Sequence, residues 1–259
     1  MQLLHDLVDP HLQPLQFDAD IDVICSSIEK QGFCRIPADQ IRAYLQQVVN
    51  CMSFEWSTFQ GSWSDLPMDG YMADGGTYRR RRHTKLSAAP SLGTVCLEHH
   101  QPHFQAVQYN AMNGGIFRNY EPVSKASIRS NVMKGLIRLC CQVLGKFDIK
   151  AEWDIEVHQF RIETNEHQDG KPTPEGIHQD GVSFVLIVLI SRKNICNGRT
   201  GIFDLQHRCI DGFTMSEPFD AVMINDARCM HSVSPISPVD ARYPAHRDVL
   251  VITFRKKIE

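Results

Sequence analysis

The chain has 259 residues, 42% hydrophobic and 22% charged, with a formal net charge of -3. This is ordinary globular composition with enough apolar material for one sizeable core, and its slight acidity gives no global attraction to nucleic acid or an anionic membrane. Nine cysteines without a Cys-x-x-Cys pair argue against a disulfide framework and are expected as reduced, small, buried hydrophobes in a cytoplasmic protein. The start, Met1-Gln2-Leu3-Leu4-His5-Asp6, lacks a basic region followed by an apolar signal core, and the apolar run Val182 to Ile190 is too short to span a bilayer.

In chain order, Ile21, Ile24, Cys25 and Ile28 fall on one face of a first helix, with Asp20 as cap and Gly32 as stop. Phe33 to Ile36 reads as an edge strand, and Pro37 opens a second helix through Met52, whose stripe of Ile41, Tyr44, Leu45, Val48, Val49 and Met52 is core. From Ser53 to Gly76 apolar spacing is irregular, so Trp56, Phe59, Trp63 and Tyr71 are assigned to a long loop region. Thr77 to Leu86 carries Arg79, Arg80, Arg81, Arg82 and Lys85; on a strand, Arg79 and Arg81 share one side. The glycines of Asn113-Gly114-Gly115-Ile116-Phe117-Arg118 mark a turn. Ser124 or Ser127 caps a helix with Ile128, Val132, Leu136, Leu139, Cys140 and Val143 on its apolar face, buttressing the outside of the sheet.

After Trp153 the period changes to that of strands, with Trp153, Ile155 and Val157 alternating with Asp154, Glu156 and His158. A polar loop from Glu163 to Glu175 leads to His178, and Phe184 to Ile190 is a strand buried on both faces. Gly198 and Gly201 mark a turn, Gly201 to Leu205 a short strand, and Asp211-Gly212 another turn. Paired into two packed sheets, these strands give a mainly β fold with flanking helices, a double-stranded β-helix (jelly-roll, cupin-like) core. A single domain over 1–259 is expected, its helical and loop part (1–150) packed on a metal-binding core (151–259).

The chemistry centres on Gly176-Ile177-His178-Gln179-Asp180-Gly181. A histidine and a carboxylate two residues apart share one face of an extended segment, so both reach one metal ion. The third candidate is His231, and two histidines with one carboxylate leave open positions on an iron centre. Arg247 opens a final apolar strand, where its guanidinium suits a carboxylate bound through two parallel hydrogen bonds. Asn225 and Asp226 precede His231 and read either as orienting a ligand imidazole or as a structural turn; His158 and Arg161 fall on opposite faces of their strand, and Arg161 is a substrate-carboxylate candidate if a bulge turns it inward. The same ligand set also serves a zinc hydrolase, although no His-Glu-x-x-His helix is present, and a non-enzymatic ligand-binding barrel is a further alternative.

The segments Pro172 to Gly181, Phe219 to Asp226 leading to His231, and Arg247-Asp248-Val249-Leu250, with Val157 to Ile162 and Gly75 to Arg82 upstream, resemble the bacterial 2-oxoglutarate and Fe(II)-dependent dioxygenases that hydroxylate free amino acids, the isoleucine and leucine hydroxylase group. The resemblance implies Fe(II) on His178, Asp180 and His231, 2-oxoglutarate paired with Arg247, O2 as oxidant, and hydroxylation of an unactivated C-H of an L-amino acid with release of succinate and CO2. It favours Arg79, Arg81 and Arg82 as matching positions for the substrate carboxylate. A small peptide or amino-acid-derived metabolite is the alternative substrate; no nucleic acid or membrane partner is expected.

Overall fold

The computed structural model describes residues 2–3, 18–51 and 53–257. Met1 and Leu4-His5-Asp6 of the start, and Met52 at the expected end of the second helix, lie outside the described residues. The helices are α1 (Asp18–Gln31), α2 (Ala38–Val49), α3 (Ser53–Gly61), α4 (Lys125–Ile128) and α5 (Asn131–Phe147). The strands are β1 (Gln2–Leu3), β2 (Phe33–Ile36), β3 (Arg79–Ala89), β4 (Thr94–Leu97), β5 (His103–Phe104), β6 (Phe117–Arg118), β7 (Trp153–Thr164) and β8 (Phe184–Lys193). They continue with β9 (Ile195–Asn197), β10 (Thr200–Phe203), β11 (Cys209–Phe213), β12 (Ala221–Asn225), β13 (Met230–Val233), β14 (Ile236–Pro238) and β15 (Ala245–Lys256).

Eight strands form one antiparallel sheet in the order β1-β4-β3-β7-β15-β8-β12-β2, and β11-β10-β13 form a smaller one. The period of two gives each long strand two different faces. On β7, Trp153, Ile155 and Val157 join the helix-side core with Leu186 and Val188 of β8 and Leu250, Ile252 and Phe254 of β15. The alternate residues Glu156, His158, Phe160 and Ile162 line a cavity together with Arg247, Val249 and Val251. The smaller sheet contributes Ile202 and Phe213 to a second apolar cluster with Val185, Ile187 and Val222. The result is the jelly-roll arrangement expected, its cavity facing away from the helices.

Helix α5 packs its buried Val132, Leu136, Leu139, Cys140 and Val143 against the sheet's outer face. Its cap is Ser130, whose hydroxyl accepts from the Met133 N–H; Ser124 instead caps the separate one-turn α4, accepting from Ser127. The stretch after Ser53 also departs from expectation, because α3 replaces the start of the loop. Trp56, Phe59 and Trp63 meet through ring contacts (Trp56–Phe59 centroids 6.0 Å, Phe59–Trp63 5.2 Å), and Trp63 Nε1 donates to the carbonyls of Phe160 and Val249. Tertiary packing of aromatics, not local propensity, makes this helix.

Two further corrections concern the small sheet and the cysteines. Asp211-Gly212 lies inside β11, not at a turn, because Gly212 pairs directly with Gly201 across the ladder. Cys196 and Cys209 are exposed, whereas Cys25, Cys34, Cys96, Cys140, Cys141 and Cys229 are buried and Cys51 is half-buried. The first 150 residues also do more than cover the core: β3 is hydrogen-bonded to β7 over ten register pairs, from Arg79 opposite Ile162 to Ala88 opposite Trp153.

Candidate active site

His178 and His231 are brought together by the backbone. Each donates its N–H to the other's carbonyl (3.1 and 2.9 Å), an isolated antiparallel bridge that sets the residues directly opposite one another. Their rings consequently lie 4.4 Å apart. Asp180 follows in a loop, with Oδ1 3.7 Å from His178 Nε2 and Oδ2 3.8 Å from His231 Nε2. The loop is held by Asp226, whose carboxylate accepts the backbone N–H groups of Asp180, Gly181 and Val182 at 3.0, 2.8 and 3.0 Å. Asp226 therefore positions the carboxylate ligand candidate through its backbone. Gly181 at φ +76° turns the loop, and a Cβ there would meet the Tyr109 ring at 2.3 Å.

The donor set fits a divalent ion. His178 Nδ1 lies 3.0 Å from the Gly176 carbonyl, which can only accept, so Nδ1 carries the proton and Nε2 presents its lone pair to the centre. Burial opposes a proton on His178, but the hydrogen bond and charge of Asp180, with Glu175 beyond, raise it to about 9. The site thus demands positive charge, which a metal supplies on displacing a proton. Burial and the neighbouring His178 push His231 down to about 4, leaving it neutral as a ligand must be. Asp180 is held well below the carboxylate range, its burial overcome by hydrogen bonding to His178. Burial and the charge of Asp180 push Asp226 up to about 6.

Arg247 stands on the cavity face of β15, 2% exposed, and among the described residues its Nε and Nη2 have no hydrogen-bond partner. Burial and the nearby Arg192 lower it to about 10. A buried guanidinium without a counter-ion costs several kcal/mol, roughly, unless a ligand supplies the anion. Gly198, at φ +72°, leaves the room: a Cβ there would meet Ile236 at 2.9 Å and approach the Arg247 stem. The cavity that joins Arg247 to His178, Asp180 and His231 measures about 550 Å³ and has Phe160, Val182, Ile187, Val233, Val249 and Val251 in its walls.

The four arginines expected near substrate divide into two pairs. Arg79 and Arg81 line the cavity, buried, with Arg79 Nε 2.7 Å from Asp69. Arg81 lies between the Tyr120 and Phe160 rings at 4.0 and 4.4 Å from their centroids. Arg82 turns to the other face, paired with Glu121 at 2.9 Å, and Arg161 makes a two-pronged pair with Asp248 at 2.7 and 2.8 Å. No bulge turns Arg161 inward, since β7 and β15 keep register through Arg161 opposite Asp248, and neither residue lines the cavity.

A second group, His83, His103, Glu156 and His158, also has metal-ligand composition. Its spacing says otherwise. His103 Nδ1 lies 2.5 Å from Glu156 Oε2, whereas two ligands on one ion with bonds of roughly 2.0–2.1 Å stand about 3 Å apart or more. Arg81 Nη2 donates to His158 Nδ1 at 2.8 Å; a guanidinium has no lone pair, so His158 holds its proton on Nε2, facing Glu156 Oε2 at 3.5 Å. His103 is hydrogen-bonded to Glu156, and His83 Nε2 and His158 Nε2 stand 3.3 and 3.5 Å from the same carboxylate oxygen, a buried polar cage that brings β3, β5 and β7 together. Glu156 and His158 show in the alternation of their strand, whereas His103, Gln105 and Arg118 sit in a segment without periodicity and leave no signal.

Comparison with known proteins places this geometry. Residues 60–253 match the family described as 2OG-Fe dioxygenase. The chain is 24% identical over 239 residues to the 3(1)-hydroxy-L-isoleucine 4-dioxygenase of Pantoea ananatis, covering 90% of this chain and 95% of that protein. It is 22% identical over 233 residues to the L-isoleucine-4-hydroxylase of Bacillus thuringiensis, covering 88% and 92%. Among solved structures, a bsmA homolog from Methylobium petroleophilum PM1 superposes with a TM-score of 0.81 at 32% identity over 96% of each chain. With three quarters of its length matched to that family and a jelly-roll carrying a His-x-Asp…His centre, the chain belongs to the 2OG-Fe dioxygenases.

Proposed function

We propose that this protein hydroxylates an unactivated C-H bond of a free aliphatic L-amino acid, with 2-oxoglutarate and O2 as cosubstrates and succinate and CO2 as coproducts. The observation that carries the reading is the single cavity in which His178, Asp180 and His231 face a buried, unpartnered Arg247 across apolar walls. His178, Asp180 and His231 would hold Fe(II), and Arg247 the distal carboxylate of 2-oxoglutarate. The iron, when bound, supplies the coupled decarboxylation of 2-oxoglutarate and oxidation of the substrate carbon. The protein's share is to fix the substrate carbon beside the metal, exclude water and hold the three ligands in their protonation states. The named relatives act on isoleucine or a hydroxylated isoleucine, which sets the first substrates to try.

Strands from both halves of the chain share one sheet, which supports a single domain. Cysteines without a disulfide support a reducing, cytoplasmic setting; among the described residues no helix is long and apolar enough to cross a membrane. The test is succinate release by anaerobically prepared protein given Fe(II), 2-oxoglutarate and air, with each common L-amino acid in turn. One aliphatic amino acid is expected to stimulate release strongly and to yield a product heavier by one oxygen atom. His178→Ala and Asp180→Ala are expected to abolish both; full turnover in either variant removes the ligand set.

A further inference from the structure

Arg118, at the end of the short strand β6, is 1% exposed and lines the same cavity. Among the described residues no carboxylate lies within ion-pair distance of it, and its Nε has no hydrogen-bond partner. Its one side-chain hydrogen bond among the described residues is long, from Nη2 to Gln105 Oε1 at 3.4 Å. The other two cavity arginines on this side are already engaged. Arg79 is held by Asp69; Arg81 donates to Tyr120 Oη and His158 Nδ1 and is stacked between aromatic rings. Arg118 is therefore the guanidinium on this wall whose counter-ion the protein does not provide. Arg247 is in the same condition, and one dicarboxylate cosubstrate whose keto acid end sits at the metal supplies an anion for only one of them.

Gln105 links this residue to the candidate metal centre. Its amide Nε2 lies 3.3 Å from the Asp180 carbonyl and 3.4 Å from Asp180 Oδ1, while its Oε1 accepts from Asn110 Nδ2 at 3.1 Å as well as from Arg118. The amide orientation is thus settled by its neighbours: oxygen toward two donors, nitrogen toward two acceptors. Arg118 stands one side chain away from Asp180.

We infer that Arg118 is the carboxylate-binding residue of the substrate subsite, accepting the α-carboxylate of the amino acid with its guanidinium, so that the substrate's apolar end extends along the valine-lined wall toward the metal. This rests on the amino acid reading above and deepens it. Arg118 binds the part of the substrate that does not react, and Gln105 is a positioning residue that holds the guanidinium in register with Asp180. The ligand class is a monocarboxylate with an aliphatic tail; an amide or ester of the same acid lacks the charge that a buried guanidinium needs.

The experiment is anaerobic calorimetric titration of the Fe(II)- and 2-oxoglutarate-loaded protein with aliphatic L-amino acids headed by L-isoleucine, with their carboxamides, and with the corresponding deaminated acids. The unmodified protein is expected to bind the amino acid about 100-fold more tightly than its carboxamide. Arg118→Gln is expected to bind the two alike, and Arg118→Lys, which keeps charge but loses the fork, to fall between them; circular dichroism checks the fold of both. If Arg118→Gln or, should that variant not fold, Arg118→Lys retains the full preference for carboxylate over carboxamide, the assignment is overturned. If amino acids do not bind but deaminated acids bind in an Arg118-dependent manner, the subsite stands and the amino acid reading falls. If no carboxylate of either kind binds, the subsite falls.

Discussion

Arg247 and Asp226 are the two side chains whose surroundings say most about the site. Arg247 is buried with two guanidinium nitrogens that have no partner among the described residues, which is why the distal carboxylate of 2-oxoglutarate is proposed there. Removing a charge-paired guanidinium costs roughly 2–5 kcal/mol, so Arg247→Ala is expected to raise the KM for 2-oxoglutarate at least about 30-fold, with a smaller effect on the amino acid KM. Steady-state kinetics with each cosubstrate varied separately decide this, and an unchanged 2-oxoglutarate dependence moves the role elsewhere. Asp226 is the second. It receives three consecutive backbone N–H groups around Asp180, an anion-binding turn that aims the ligand carboxylate. Groups that orient metal ligands are typically worth ~10–100-fold in affinity, so Asp226→Ala is expected to weaken Fe(II) binding by that factor. Equilibrium titration with Fe(II) under nitrogen measures it, and wild-type affinity in the variant contradicts the positioning role.

Elements set the limits of what the residue pattern reveals. The His178, Asp180, His231 and Arg247 positions are legible because each lies on or beside an extended segment, where a period of two states which face a side chain takes. The same rule puts Arg79 and Arg81 in the cavity and Arg161 out of it. Helix α3 is illegible because Glu55, Ser57 and Thr58 separate its aromatics, and only packing on Trp63 and the sheet beneath gives Trp56 and Phe59 a reason to be helical. Arg118 and His103 belong to two-residue strands too short to show any period. The cage they approach joins β3, β5 and β7 and makes a pH prediction. Burial lowers His103 to about 4, opposed by its bond to Glu156 and reinforced by Arg81 and Arg118; His83 and His158 are lowered as well, and Glu156, flanked also by Lys85, is held far below the carboxylate range. An unfolded histidine binds a proton near pH 6.5, so between about 6.5 and 4 the unfolded chain holds more protons at this site. Stability from the cage is thus complete at neutral pH and is lost as pH falls, by up to about 1.4 kcal/mol per pH unit per proton. Urea midpoints from pH 7 to 5 are expected to fall less steeply in His103→Gln than in the unmodified protein; parallel slopes contradict the cage.

The large sheet divides labour between its faces. The helix side, where α1, α2 and α5 cover Leu186, Val188, Leu250 and Ile252, supplies the burial that holds the fold. The other side keeps a cavity lined by His178, Asp180 and His231 together with the buried Arg118 and Arg247. Hydropathy period makes the strands after Trp153 legible, whereas the four consecutive arginines of β3 show which residues share a face but not that the strand pairs with β7 in the large sheet. The claim that this face performs oxygen chemistry is tested most directly by supplying isotopically labelled dioxygen with Fe(II), 2-oxoglutarate and the stimulating amino acid, then reading label in both products by mass spectrometry. One labelled oxygen is expected in the hydroxylated amino acid and one in succinate, formed in equal amounts and absent in His231→Ala. Product carrying oxygen only from water, or formed without 2-oxoglutarate, would contradict that claim.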